Sequence, residues 1–238
     1  EKMFNIVGLW GGYILKPSTE QYPKLPDNED LTMHLAEASK IKTAPHSLVR
    51  MASGNLAYIT KRVDRLKNGK LAMEDMCQLT ERLTEEKYNG SYEQIGKTIK
   101  KYSSFNGLDV LNYFEIVLFS FITGNADMHL KNFSLLENPG NGMALSPAYD
   151  LVNTAIVNPA DKEELALTLN GKKSRITKMD FEQAMTTLKI DERQQVNIFN
   201  KMIKSQTKWL EIIDESFLSV EKKKLYKQII DDRINRIK

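Results

Sequence analysis

Four polar side chains lie close together near the middle of this sequence. Asp127, His129, Lys131 and Asn132 fall within six residues, directly after the apolar run at residues 110–122. Polar groups of opposite charge on a short loop behind a buried segment are placed for chemistry rather than for packing. The spacing Asp-x-His-x-x-Asn suits phosphoryl transfer, which needs a carboxylate near the attacking hydroxyl and an oxygen ligand for magnesium.

A second acidic residue, Asp150, strengthens this interpretation. Residues 133–136 and 143–145 are predicted to be short strands, and the Asn-Pro-Gly-Asn-Gly sequence between them is typical of a tight turn. Such a hairpin would bring Asp150 back beside Asn132. An Asp and an Asn at neighbouring strand ends form a hard-oxygen pair that suits Mg²⁺ and leaves room for phosphate oxygens.

The elements before this loop would have to build the other side of a site. The run at 110–122 is apolar on almost every side, which predicts a buried helix, and Gly124 with Asn125 would end it. Upstream, the pattern predicts strands at 4–9 and 12–15, and further strands at 48–51 and 56–63.

A helix is predicted between those two pairs of strands, with Asn28 as its cap. Lys16 closes the apolar strand before the helix, so it is a candidate phosphate contact. Glu29 would lie in the first helical turn, where the helix dipole already favours an acid, which makes it a weaker candidate as the partner of Lys16. The order strand, lysine, helix, strand, strand is that of a kinase small lobe.

The remainder of the chain is predicted to be mostly helical. We expect helices at 71–83 and 92–102, a hairpin at 164–176 around Asn170-Gly171, and three helices capped by Thr177, Asp191 and Ser219. Residues 1–66 would then form a small mixed lobe and residues 67–238 a helical catalytic lobe. The fold class predicted is α+β, in a two-lobed arrangement like that of protein kinases.

Composition limits the function classes. The chain has 238 residues, 34 basic against 31 acidic, and the net charge of +3 is too small to argue nucleic-acid binding. No apolar stretch is long enough for a transmembrane helix, and the first residues lack the features of a signal peptide. The single cysteine, Cys77, fits a reducing compartment, so a cytoplasmic protein is expected.

With these motifs the chain resembles the catalytic part of HipA-type serine/threonine kinases, the toxins of bacterial hipBA toxin–antitoxin modules. The resemblance runs from about Gly12 to the C-terminal helices. The strings that carry it are Ile-Leu-Lys-Pro at 14–17, Asn-Glu at 28–29, Lys-Arg-Val-Asp-Arg at 61–65, Glu-Asp-Met-Cys-Gln at 74–78, Asp-Met-His-Leu-Lys-Asn-Phe-Ser at 127–134 and Leu-Ser-Pro-Ala-Tyr-Asp at 145–150.

The resemblance implies ATP as the cofactor and assigns its binding residues. Lys16 would contact the ATP phosphates, and the backbone of Lys61, Arg62 and Val63 would be the hinge that binds adenine. Gln78 would lie near the nucleotide, although helix structure explains that residue equally well.

The resemblance also assigns the chemistry. Asp127 would be the catalytic base toward a protein hydroxyl, His129 would lie beside the phosphates, and Lys131 is carried over as a residue of the catalytic loop. Asn132 and Asp150 would hold Mg²⁺. Family members phosphorylate aminoacyl-tRNA synthetases and pair with a helix-turn-helix antitoxin, so both are expected partners.

Two departures from the family pattern stand out. The family hinge has Glu and then an aromatic residue where this chain has Lys61 and Val63, which weakens the packing expected around adenine. The family also carries, upstream of the lysine strand, an N-terminal subdomain and a phosphate-covering loop with an autophosphorylated serine. Neither is in this sequence, so we expect a compact relative or a part of a longer protein.

Three functions remain open from the sequence. The chain could be a protein kinase, a small-molecule kinase of the aminoglycoside-phosphotransferase type, which shares the Asp-x-His-x-x-Asn loop, or a non-catalytic kinase-fold binding module. A module of the third kind would be expected to have lost one of Lys16, Asp127, Asn132 or Asp150, and all four are present.

Overall fold

The computed structural model describes residues 4–5 and 11–238, the first pair by its backbone alone. Its N-terminal part is an antiparallel sheet of four strands in the order β1-β2-β4-β3, with one helix, α1, packed against β3 and β4. The elements are β1 (Phe4–Asn5), β2 (Tyr13–Pro17), α1 (Leu25–Ala38), β3 (His46–Arg50) and β4 (Leu56–Lys61). The predicted order of strand, lysine, helix, strand and strand is present. Of the strand predicted at 4–9, only Phe4–Asn5 lies within the described residues.

Helix α1 begins at Leu25, three residues before the predicted cap at Asn28. Pro26 lies in the first turn, where its fixed φ suits a helix and its missing N–H loses no hydrogen bond. Asn28 is therefore inside the helix. Its side chain donates to the carbonyl oxygen of Asn153 at 2.8 Å and accepts from the N–H of Asn153 at 3.1 Å. This pair of bonds joins α1 to the segment that follows Asp150.

The rest of the chain contains a second, three-stranded sheet in the order β7-β8-β9, surrounded by helices. The strands of this sheet are β7 (Met73–Asp75), β8 (Ser134–Asn138) and β9 (Gly142–Leu145). Two short strands before them, β5 (Arg65–Leu66) and β6 (Gly69–Lys70), pair with each other. The helices are α2 (Met76–Leu79), α3 (Tyr92–Tyr102), α4 (Asn106–Thr123), α5 (Lys178–Thr187), α6 (Glu192–Glu215) and α7 (Val220–Ile237). The predicted hairpin after the polar loop is β8-β9.

Helix α4 is the centre of the core, as its sequence predicts. Its residues from Phe114 to Thr123 are buried except Glu115, which pairs with Lys201 of α6 at 2.5 Å. Gly124 then ends the helix with a φ of +80°, and a Cβ at that position would lie 2.7 Å from Oδ1 of Asn153. Both the turn and the close approach therefore require glycine.

Two predicted elements differ in the structure. The single helix expected at 71–83 is wrong, because its first part is the strand β7, in which Asp75 lies opposite Ser134 of β8. Pairing with a strand that is distant in sequence outweighs the local helix preference. The hairpin expected at 164–176 is reduced to one bridge between Leu169 and Lys172, around a turn with positive φ at Asn170 and Gly171.

The C-terminal helices close the core from one side. Helices α5, α6 and α7 begin after Thr177, Asp191 and Ser219, as predicted. Trp209 of α6 is fully buried, and its indole N–H lies 2.9 Å from the carbonyl oxygen of Leu35 in α1. Within the described part of the chain, no helix combines the length and apolarity that crossing a membrane would need.

Candidate active site

The ammonium group of Lys16 lies between two carboxylates from distant parts of the chain. Its Nζ donates to Oε1 of Glu29 at 2.8 Å and also to Oδ1 of Asp150. The Glu29 side chain is only 4% exposed, whereas that of Asp150 is 41% exposed. Burial alone lowers the pKa of Lys16, but the two carboxylates outweigh it and hold that pKa above its ordinary value. The lysine is therefore a fixed cation at the point where β2, α1 and the segment after β9 meet.

The backbone at Asp150 turns its carboxylate toward this cation. Its φ of +59° lies in the left-handed region, which costs a non-glycine residue roughly 1–2 kcal/mol. The preceding Tyr149 secures the segment, because its hydroxyl donates to the carbonyl oxygen of Lys131 at 3.0 Å and lies 2.6 Å from Oγ of Ser134. Tyr149 thus joins the segment of Asp150 to the residue directly before Asn132.

The loop after α4 holds Asp127 by its backbone. The N–H of Asp127 donates to Oδ1 of Asn125 at 3.1 Å, and the N–H of Ala126 donates to Oγ1 of Thr154 at 2.8 Å. The hydroxyl of Tyr88 donates to Oδ1 of Asp127 at 2.7 Å. The half-buried carboxylate of Asp127 is thus fixed in position, and one of its oxygens already accepts a hydrogen bond from the Tyr88 hydroxyl.

His129 is buried behind Asp127, with its ring against that of Tyr88 at 5.0 Å between centroids. Its Nδ1 has no hydrogen-bond partner among the described residues. Burial lowers the pKa of His129, partly offset by the charges of Asp127 and Asp150. The charges of the Asp127 loop and of the Asp150 segment therefore both act on this imidazole.

Asn132 is the last residue of the short helical turn that follows His129. Its amide nitrogen donates to the carbonyl oxygen of Asp127 at 2.9 Å, which leaves the side-chain oxygen as the atom that it can offer to a cation. With the half-exposed carboxylate of Asp150 on the neighbouring segment, this donor set is the hard-oxygen type that Mg²⁺ prefers. The residues present therefore fit a magnesium–nucleotide complex, with Lys16 as a cation for phosphate oxygens.

Lys131 and Gln78 are placed outside this group. Nζ of Lys131 pairs with Oδ2 of Asp75 at 2.6 Å. Asp75 also caps α2 and forms a reciprocal pair with Gln78, whose Oε1 accepts from the N–H of Asp75 at 2.9 Å. A capping box accounts for Gln78 in full. The structure thus joins the side chains of Lys131 and Gln78 to each other through Asp75, and neither to Lys16 nor to Asp127.

The predicted hinge begins at Lys61, the last residue of β4. The N–H of Lys61 donates to the carbonyl oxygen of Pro45 at 2.8 Å, and the N–H of Arg62 donates to that of Gly12 at 2.9 Å. An adenine base would therefore have to use the N–H of Val63 or the carbonyl oxygens of this segment. The Arg62 side chain pairs with Asp64 at 3.0 Å, so it stabilises the turn.

Three residues of this site have no role in the sequence analysis. Tyr88 contacts Asp127, Tyr149 joins the two acidic segments, and Asn153 joins the segment after Asp150 to α1. The Pro-x-Tyr-Asp string contained the signal for Tyr149, since an aromatic residue beside a functional acid often positions it. Tyr88 lies far from Asp127 in sequence, within a polar segment without periodicity. Nothing in the local sequence therefore indicates its contact with Asp127.

Comparisons with known proteins identify the family of this chain. A family model described as HipA-like C-terminal domain matches residues 9–210. The Sinorhizobium fredii protein named "Putative kinase Y4dM" is 30% identical over 199 residues, which are 78% of this chain and 48% of that protein. The Serine/threonine-protein kinase toxin HipA of Shewanella oneidensis is 28% identical over 173 residues, 64% of this chain and 39% of that protein. The chain thus spans less than half the length of these two relatives.

Two solved structures share the fold. HipA from the Shewanella oneidensis MR-1 complex of HipA, HipB and operator DNA superposes with a TM-score of 0.78, at 19% identity, over 95% of this chain and 57% of that one. The Helicobacter pylori proinflammatory kinase CtkA gives a TM-score of 0.68, at 14% identity, over 94% of this chain and 84% of that one. The fold is therefore the predicted α+β, kinase-like one, and the chain belongs to the family of proteins with a HipA-like C-terminal domain.

Proposed function

We propose that this chain is the catalytic part of a serine/threonine protein kinase that transfers the γ-phosphoryl group of ATP to a protein hydroxyl. The observation that carries the proposal is the position of Lys16 between Glu29 and Asp150. A strand lysine paired with a helix glutamate, next to an acid that can hold magnesium, is the arrangement that kinases use to bind phosphates.

Each residue then has a defined task. When bound, ATP would supply the phosphoryl group, and Mg²⁺ would supply positive charge that neutralises the phosphates. Lys16 holds phosphate oxygens, and Asn132 and Asp150 offer the oxygen ligands for the cation. Asp127 orients the acceptor hydroxyl and takes its proton as the new O–P bond forms and the bond to the ADP oxygen breaks.

We also infer the division into lobes and the wider setting. The small lobe would end near residue 66, because β4 closes the first sheet and β7 already belongs to the second. By analogy with the Shewanella oneidensis complex, which contains HipB and operator DNA, we propose that the chain acts in a toxin–antitoxin pair with a helix-turn-helix antitoxin in the bacterial cytoplasm. An aminoacyl-tRNA synthetase is the proposed substrate class.

The test is phosphate transfer from γ-labelled ATP. The chain, together with any upstream segment of its natural protein, is incubated with a bacterial extract, and the labelled proteins are analysed for phosphoserine and phosphothreonine. A parallel reaction contains aminoglycosides and sugars in place of the extract. Label on protein hydroxyls, abolished by Lys16→Met, supports the proposal. Label on the small acceptors alone would assign a small-molecule kinase, and ATP binding without any transfer would assign a binding module.

A further inference from the structure

A group of possible metal ligands lies between α1 and β3. Asp30 and His34 are four residues apart on α1, so they share one face of the helix, and His46 is the first residue of β3. One ligand atom from each of the three lies within 4.8 Å of the others. Nε2 of His34 and Oδ2 of Asp30 are already 3.5 Å apart. Adjacent ligands of a tetrahedral Zn²⁺ ion are separated by roughly 3.3 Å, given bond lengths of about 2.0 Å.

An independent observation points to a ligand in this group. The His46 side chain is only 1% exposed, and its Nε2 is buried with no hydrogen-bond partner among the described residues. Its Nδ1 lies 3.1 Å from the carbonyl oxygen of Ala44. That bond fixes the proton on Nδ1, so Nε2 presents its lone pair. Metal-binding histidines are typically oriented in this way, by a carbonyl that accepts from the other ring nitrogen.

Asp30 repeats the pattern. Its Oδ1 is buried and also has no partner among the described residues, while its Oδ2 faces His34. Leaving both a carboxylate oxygen and an imidazole nitrogen buried and unpaired is costly. A cation bound by the carboxylate and the imidazole together would offset this cost.

We propose that Asp30, His34 and His46 form a binding site for a transition-metal ion of the Zn²⁺ type. Two imidazoles and one carboxylate suit Zn²⁺ and its neighbours in the first transition row, and they do not suit the all-oxygen preference of Mg²⁺. The fourth position is left for water, because the His34 side chain is 48% exposed and Asp30 and His34 line an open groove beside the end of α6. Glu37 supports the site, since its Oε2 lies 3.2 Å from Nδ1 of His34.

The site would connect α1 to the sheet. His46 belongs to β3, and the other two ligands belong to α1, so a bound ion would cross-link the two elements. Glu29, the partner of Lys16, is the residue directly before Asp30. The proposal itself concerns metal binding alone, and its test is independent of phosphate transfer.

The test is a Zn²⁺ titration of the chain after removal of metal with a chelator, followed by calorimetry, with the visible absorption of Co²⁺ as a second readout. Magnesium is kept in excess so that Asn132 and Asp150 are not titrated. We expect one Zn²⁺ per chain and a higher melting temperature with the ion. Because loss of a supporting residue around a metal typically weakens affinity 10–100-fold, loss of a ligand should weaken it by at least about 100-fold.

The variants are Asp30→Asn, His34→Gln and His46→Gln, with Glu215→Gln, which lines the same groove, as the matched control. His34 is half-exposed, so its variant keeps the fold even where the buried His46→Gln does not, and melting in the presence of chelator checks each variant. The proposal is supported if Zn²⁺ binds tightly to the wild type and to the Glu215→Gln control, and if this binding is lost in those ligand variants that remain folded. Absence of Zn²⁺ binding, or unchanged affinity in His34→Gln, would overturn it.

Discussion

The hydroxyl of Tyr88 donates a hydrogen bond to Oδ1 of Asp127 at 2.7 Å, which is the contact that the proposed mechanism gives to the acceptor hydroxyl. The ring of Tyr88 packs edge-on against His129, so this hydroxyl is held in place. If Asp127 is the base, an acceptor has to displace the Tyr88 hydroxyl from that oxygen before reaction. Tyr88 is then a competitor for the base.

We therefore expect Tyr88→Phe to lower the KM for the protein acceptor. The substitution keeps the ring and removes only the hydroxyl. A hydrogen bond to a charged group is worth about 1.5–3 kcal/mol, so the KM should fall by roughly tenfold or more. The measurement is the transfer rate as a function of acceptor concentration. A lower kcat with unchanged KM would show instead that Tyr88 positions Asp127.

Asp127→Asn should slow transfer strongly and leave ATP binding intact. The amide keeps the shape of the carboxylate but cannot take the proton. The rate should therefore fall about 10²–10⁴-fold, the usual contribution of a general base. The melting temperature should hardly change, because Asp127 lies half-buried on a loop whose backbone bonds the variant retains. Asp161→Asn, in another loop, is the control, and transfer at the wild-type rate by Asp127→Asn would remove the centre of the kinase proposal.

Asp150→Asn should reduce the magnesium dependence of nucleotide binding. The variant loses one negative charge at the proposed cation site, while asparagine tolerates the positive φ of this position. Calorimetry with ATP, with and without Mg²⁺, measures the effect.

Glu29→Gln is the matched control for Asp150. It removes the other carboxylate beside Lys16 but no proposed metal ligand, so its nucleotide binding should keep the magnesium dependence of the wild type. Equal magnesium dependence in the wild type and Asp150→Asn would argue against Asp150 as a ligand.

Asp180 should make folding stability dependent on pH. Burial by itself raises the pKa of Asp180, but bonds from Lys172, Asn170 and Thr177 outweigh it and lower that pKa to about 2. The unfolded chain titrates near the ordinary value of about 3.9 and so binds more protons between these values. The stabilisation is therefore present above about pH 5 and is lost as the pH falls toward 2.

Asp180→Asn should remove this contribution. We expect a loss of about 1–2 kcal/mol at neutral pH, since the partner Lys172 is half-exposed to solvent, and a melting temperature lower by several degrees. The difference from the wild type should shrink as the pH is lowered to 3. Asp232→Asn, at an exposed position of α7, serves as the control. A difference that stays constant from pH 7 to pH 3 would contradict the linkage.

The sequence by itself was sufficient for those features that depend on local pattern and turn chemistry. The buried helix before the polar loop, its end at Gly124 and the β8-β9 hairpin follow from hydrophobic periodicity and from residues that favour turns. The order of elements around Lys16 followed in the same way, and with the quoted motifs it led to the family.

Tertiary structure alone decided which of these residues meet. Asp75 is in a strand because β8, far along the chain, supplies its hydrogen-bond partners. Glu29, a weak candidate in the sequence because the helix dipole already explained it, contacts Lys16 because α1 packs across the sheet that holds β2. Tyr88 reaches Asp127 over 39 residues of chain. Contacts of this kind depend on packing between distant segments, and no local propensity encodes that packing.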